Sequence, residues 1–199
     1  MGKSSDKKRV DVRDLSAADR AAWDELVAAS PDANSFLRSA WLDHLETTDS
    51  YGLRFCRLGA FNADGDLRGG WVLPYRTRAG FRYSTYFEYF YAGPVLHPDL
   101  ETGSVHGVNE RNRVFQALAE AQGRRLHVIE AEGHPRLWDI RPLLERGWRV
   151  EPIYTYCWDM EDPEAVFMSM NREKRRVIKR ARERLVFRFS TDAADREAF

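Results

Sequence analysis

Two alternating apolar runs, residues 53–61 and 67–78, are joined by the turn sequence Asn62-Ala63-Asp64-Gly65. This pair constrains the chain more than any other feature. A period of two over eight or more residues on each side of an Asn/Asp/Gly turn predicts a β-hairpin. The preceding sequence supplies helices. Ser16 or Asp19 caps a first, with Trp23, Leu26 and Val27 inward, and Ser30-Pro31-Asp32 stops it. Ser35 or Ser39 opens a second, carrying Trp41, Leu42 and Leu45.

Beyond the hairpin, residues 81–91 hold seven aromatics in eleven positions, and Ala92-Gly93-Pro94 ends them. Odd-numbered Phe81, Tyr83, Phe87, Tyr89 and Tyr91 are expected to line one sheet face as core. The surplus of tyrosine leaves one or two for the edge of a binding site. A loop over 96–107 and a helix over 109–122 follow. Val114, Phe115, Leu118 and Ala121 point inward there, and Gly123 is the expected stop. A short buried strand over 126–131, a short helix over 137–146 ended by Gly147, and one or two strands over 148–160 complete the pattern. This order predicts an α/β (α+β) fold, a mixed sheet with flanking helices. Residues 1–9 read as a disordered tail, 10–157 as one domain and 158–199 as the start of a second. A chain that stops in the first turn of a helix, at 192–199, reads as truncated.

The chain is formally neutral. Against that background Arg172–Arg184 stands out, with eight basic and two acidic residues. Its apolar positions follow helical spacing through Phe167, Met170, Val177 or Ile178, Ala181 and Leu185, with Lys174 interrupting. Arg175, Arg176, Lys179, Arg180 and Arg182 fall mostly off that stripe. They face water, or they meet phosphate, which guanidinium groups grip in pairs. Overall neutrality and the lack of a nucleic-acid motif argue against a nucleic-acid groove.

Several chemistries lack their motifs. There is no phosphate loop ending in Gly-Lys-Ser/Thr, and no dinucleotide glycine fingerprint. Gly103-Ser104-Val105-His106-Gly107 has the wrong spacing for a nucleophile elbow. The five histidines are dispersed, so no metal site is expected. Cys56 and Cys157 sit in apolar runs and read as buried free thiols. No apolar run reaches membrane-spanning length, and the polar, basic N-terminus is not a secretory signal. A cytoplasmic protein is expected.

The parts in order resemble the midpoint of FemAB-like proteins, tandem GNAT-like acyltransferases related to the Fem peptidyltransferases. The resemblance rests on residues 154–160 (Tyr-Thr-Tyr-Cys-Trp-Asp-Met), Asp162-Pro163-Glu164, and residues 175–181 (Arg-Arg-Val-Ile-Lys-Arg-Ala). Ser35-Phe36-Leu37 with Trp41-Leu42, the 70–74 strand, the Tyr91-Ala92-Gly93-Pro94 corner and the Leu-Glu-Arg-Gly-Trp of 144–148 recur in the same order. It implies two GNAT-like halves across a cleft, with the second incomplete here. It also implies transfer of an acyl or aminoacyl group to an amine on a cell-wall or exopolysaccharide precursor. The donor is aminoacyl-tRNA or acyl-CoA, and no bound cofactor is evident. The acyl-CoA loop Gln/Arg-x-x-Gly-x-Gly/Ala is absent, so the residues give no support to acetyl-CoA. The substrate-binding residues implied are Arg175, Arg176, Lys179, Tyr75, Tyr91 and Trp41. Arg175, Arg176 and Lys179 would hold the phosphates of a nucleotide-linked acceptor. No catalytic base is identified; Asp159 and Glu161 are candidates by position alone. The alternative is a non-catalytic GNAT-like module whose basic helix binds RNA, a nucleotide-linked sugar or a membrane surface.

Overall fold

A computed structural model describes residues 10–48, 52–84, 91–101, 104–137, 139–154 and 161–186. The chain divides into two compact units, Met1–Glu151 and Pro152–Phe199.

The expected hairpin is the centre of the first unit. Strands β2 (Arg54–Phe61) and β3 (Leu67–Arg78) pair antiparallel, with Leu58 opposite Trp71 and Cys56 opposite Leu73. The turn is built by Asn62, whose Oδ1 accepts from the N–H groups of Asp64 (3.0 Å) and Asp66 (2.8 Å). Strand β1 (Asp11–Asp14) adds to the outer edge of β2, and β4 (Phe81–Ser84) pairs with the end of β3. The short β5 (Val95–Leu96) pairs with Gly69 and Gly70 at the start of β3. All these pairings are antiparallel. Periodicity does not announce β1, because its sequence Asp-Val-Arg-Asp has the polarity of an exposed edge.

Helices cover both faces of this sheet. α1 (Arg20–Ala29) and α2 (Ser39–Thr48) lie on one side, α3 (Val105–Arg125) on the other. The adjacent glycines of β3 show why this is possible. A Cβ on Gly70 would stand 2.5 Å from the Trp23 ring of α1, and one on Gly69 would stand 3.0 Å from Val114 of α3. Neighbouring strand residues point to opposite faces, so two missing side chains admit one helix on each. The buried run over residues 69–74 of β3 follows from this double cover. On the α3 face Trp71 packs edge-on against Phe115, with ring centroids 5.9 Å apart, and stacks at a tilt on Trp148 at 5.7 Å. On the other face the Trp23 indole donates to the Leu37 carbonyl at 2.8 Å.

Five expectations need correction. α3 begins at Val105, where the Ser104 hydroxyl accepts from Gly107 N–H at 3.0 Å, and it continues through Gly123 to Arg125. Gly123 is exposed and does not end it; Arg124 and Arg125 suit a last helical turn, and Arg125 pairs with Asp14 at 2.8 Å. The expected buried strand over 126–131 is a single parallel bridge between Tyr83 and Val128, and Val128 is 50% exposed. The expected helix over 137–146 is reduced to α4 (Arg141–Leu144), and no strand forms over 148–154. Finally, Phe81 is 47% exposed and Tyr83 half-buried, so the start of the aromatic run is not core. Phe87, Tyr89, Cys157 and the expected strand and helix after 186 lie outside the described residues.

In the second unit two helices form as expected. α5 (Pro163–Ser169) is capped by Asp162, whose Oδ1 accepts from Glu164 and Ala165 N–H, both at 3.0 Å. α6 (Arg172–Arg184) is capped by Asn171, which accepts from Lys174 N–H at 2.9 Å. The apolar stripe of α6 is not a packed face as expected. Phe167 of α5 is buried, but no residue of α6 is.

Candidate functional site

After α3, the chain returns beside β4 and runs parallel to it. His127 N–H donates to the Arg82 carbonyl and Ser84 N–H to the Val128 carbonyl, both at 2.9 Å. The Ser84 hydroxyl donates to the Glu130 carbonyl at 2.7 Å and accepts from Glu130 N–H. Further along, Ala92 N–H donates to the Glu132 carbonyl at 2.8 Å. Two glycines close the corner, since a Cβ on Gly93 would stand 3.3 Å from the Gly133 Cα. The corner brings Tyr91 and His134 together edge-on, with ring centroids 5.3 Å apart.

His134 is half-buried. Burial, and then the charge of Arg136, lower its pKa from the ordinary histidine value, so it is neutral at pH 7. Its Nδ1 accepts from Arg136 N–H at 3.2 Å, which places the remaining ring proton on Nε2. The ring is therefore a neutral N–H donor beside a phenol. From the sequence His134 reads only as a loop residue before a proline; its partnership with Tyr91 spans 43 positions and carries no local signal.

The six sequence-derived binding residues fall in two groups. Trp41, Tyr75 and Tyr91 are all half-buried in the first unit, on separate elements. Trp41 sits 5.6 Å from the Phe36 ring and 5.8 Å from His44. Its indole N–H is buried without a hydrogen-bond partner among the described residues. Tyr75 lies under the Arg82 guanidinium at 5.8 Å. Arg175, Arg176 and Lys179 belong to the second unit. There Arg175 is already engaged, because its Nη1 donates to the carbonyls of Met168 (2.6 Å) and Met170 (2.7 Å) at the end of α5. Arg182 covers the Phe167 ring at 5.3 Å. Arg176 and Lys179 remain exposed, together with Arg172 and Arg180. Of the two carboxylates considered from sequence, Glu161 is exposed before α5 and Asp159 lies outside the described residues.

Two other polar groupings are structural. A cavity of about 120 Å³ beside Ser16, Trp23 and Ser39 has Arg20 and Arg57 in its wall. Asp43 and Glu46 neutralise both, with contacts of 2.5 Å from Arg20, and 2.8 and 2.6 Å from Arg57. Buried Asp139 accepts from Arg141 at 2.9 and 2.7 Å, with Arg111 at 3.9 Å, and these arginines hold its carboxyl below the ordinary range. Burial pushes the Cys56 thiol up to about 11, so it is inert at neutral pH. Among the described residues, no group of histidine, cysteine and carboxylate side chains could hold a metal ion, and no helix is long and apolar enough to cross a membrane.

No protein-family model and no curated protein matches the chain. Among solved structures, aminoglycoside 6'-N-acetyltransferase AAC(6')-Ih from Acinetobacter baumannii overlaps it with a TM-score of 0.41 at 9% identity, covering 76% of this chain and 99% of that one. Aminoglycoside acetyltransferase AAC(6')-Iy, in complex with a bisubstrate analog, gives 0.40 at 14% identity with the same coverage. A ribosomal-protein-alanine N-acetyltransferase from Brucella melitensis biovar Abortus 2308 gives 0.38 at 16% identity, also over 76% and 99%.

Proposed function

We propose that this chain is a GNAT-like acyltransferase that moves an acyl or aminoacyl group onto an amine, with a cell-wall or exopolysaccharide precursor as acceptor. The observation that carries the reading is the path around α3. An antiparallel sheet hands the chain to a long helix, which returns it parallel to β4. That return ends at the corner where Tyr91 and His134 meet. In acyl transfer the carbonyl oxygen gains negative charge as the amine attacks, and a fixed N–H aimed at it lowers the barrier. His134 Nε2–H, neutral and half-buried, suits that role, and as the bond to the leaving group breaks the Tyr91 phenol suits proton delivery to it, the proton shed by the amine passing to solvent, which reprotonates the phenol. The donor is acyl-CoA or aminoacyl-tRNA.

The test is transfer from each donor to amine acceptors, followed by product mass. One donor is expected to support turnover. His134→Ala is expected to lower kcat on the order of a hundredfold with the fold retained, as for loss of one oxyanion donor. Absence of transfer from either donor, or an unchanged kcat in H134A, overturns this assignment. A second reading, a non-catalytic module that binds an anionic partner, is favoured by one observation: α6 leaves four of its cations exposed on one face.

A further inference from the structure

α6 has two faces that the second unit leaves open. Arg172, Arg176, Lys179 and Arg180 stand at i, i+4, i+7 and i+8, so they share one side of the helix. Val177, Ile178, Ala181 and Leu185 share another, at i, i+1, i+4 and i+8. Val177 is 58% and Leu185 55% exposed, Ile178 and Ala181 are half-buried, and Val186 beyond them is 94% exposed. Met168 of α5, the preceding helix, is also exposed. Arg180 and Arg184 lie along one margin of the apolar arc, with Glu173 between them, and Lys174 lies within the arc; along the other margin stand exposed Arg182, over the Phe167 ring, and Arg175, held by the Met168 and Met170 carbonyls.

We infer that α6 lies on an anionic lipid surface. Its apolar arc would enter the headgroup boundary while the flanking guanidinium and ammonium groups reach phosphates. Charge complementarity selects this occupant. A protein groove taking the arc would need acidic walls on both sides at once. A lipid surface meets exposed Lys174, Arg180, Arg182 and Arg184 with the same phosphates, and long basic stems snorkel to them. A nucleic acid would satisfy the cations but leave Val177, Leu185 and Val186 in water, and the cationic face carries no aromatic ring for a base. The inference rests on α6 alone and stands whether or not acyl transfer is found.

The experiment is cosedimentation of the full chain with vesicles of phosphatidylcholine, with and without roughly one-quarter phosphatidylglycerol to supply the negative surface potential that attracts basic segments. Binding is expected only to the anionic vesicles and to weaken with salt. Each cation removed at or beside the arc should cost about fivefold, so K174Q/R180Q/R184Q should lose on the order of a hundredfold, whereas R176Q/K179Q on the opposite side should lose far less. Val177→Asp should lose at least about tenfold, and Val177→Phe, at an exposed position that cannot disturb a core, should gain several-fold. Failure to bind anionic vesicles overturns the inference. So does binding that V177D and V177F leave unchanged, which would mean charge attraction without insertion. Mixed tRNA bound more tightly than the vesicles, with the same indifference to Val177, would reassign the cationic face to nucleic acid and overturn it equally.

Discussion

Ala79 is where single-residue chemistry is most at odds with the backbone. It joins β3 to β4 in a two-residue turn with Gly80, and both have positive φ, 49° and 79°. Gly80 adopts that region freely, whereas Ala79 has a Cβ that opposes it. Ala79→Asn is expected to raise stability by about 1 kcal/mol, read as an increase in Tm. Asp19 shows the opposite case. It accepts from Arg13 twice at 2.7 Å, from Ser16 N–H at 2.8 Å and from the Ser16 hydroxyl at 2.6 Å. The Arg13 guanidinium, and then Ser16, hold its carboxyl well below the usual carboxylate range. A depressed carboxylate stabilises the fold above its unfolded pKa of about 4 and loses that contribution as pH falls through the folded value. Asp19→Asn should therefore cost roughly 1 kcal/mol at pH 7. Denaturation midpoints of the two proteins should converge only in strong acid.

At the scale of elements, the fit between strand and helix is set by absence. Gly70 is expected to tolerate no side chain. G70A drives a methyl into Trp23 and the Leu58 carbonyl, and should cost about 1–3 kcal/mol in urea denaturation. The hairpin is legible in the sequence because alternation and turn chemistry are both local, and the expected bounds of β3, Leu67–Arg78, are the observed ones. The helix stop at Gly123 misleads because the signal there is a propensity. The competing features, a Ser104 cap upstream and two terminal arginines, lie at the ends of a longer helix. The parallel return beside β4 is illegible for another reason. One bridge and a few hydrogen bonds hold it, and nothing in the periodicity of 126–131 records which strand it will meet. The basic helix is legible as a helix. Its packing is not, because the spacing of an apolar stripe says nothing about whether a partner covers it.

Over the whole molecule, the main hydrophobic cluster among the described residues runs from Trp23 to Leu143, with Val150 at its margin, within the first unit. The segment 1–151 alone is therefore expected to unfold in one cooperative transition. Its Tm should lie within a few degrees of the full chain, since no described residue of that cluster is removed. A non-cooperative melt by circular dichroism would show that the core depends on residues beyond Glu151.

The two coverings of the sheet also differ in kind. On one side, α2 reaches β2 through Asp43 and Glu46 to Arg57, and Glu46 also accepts from Phe55 N–H at 2.8 Å. On the other, α3 brings Val114, Phe115 and Leu118 with one buried amide, Gln122, donating to the Trp71 carbonyl at 2.8 Å. Dissolved salt screens the Arg57 pairs but strengthens the burial of Leu42 and Leu45, which tie α2 to the same core. Ionic strength therefore loosens only the charged tie of α2. In concentrated salt the amides of α2 should exchange somewhat earlier, while the apolar cover of the sheet stays in place on both sides.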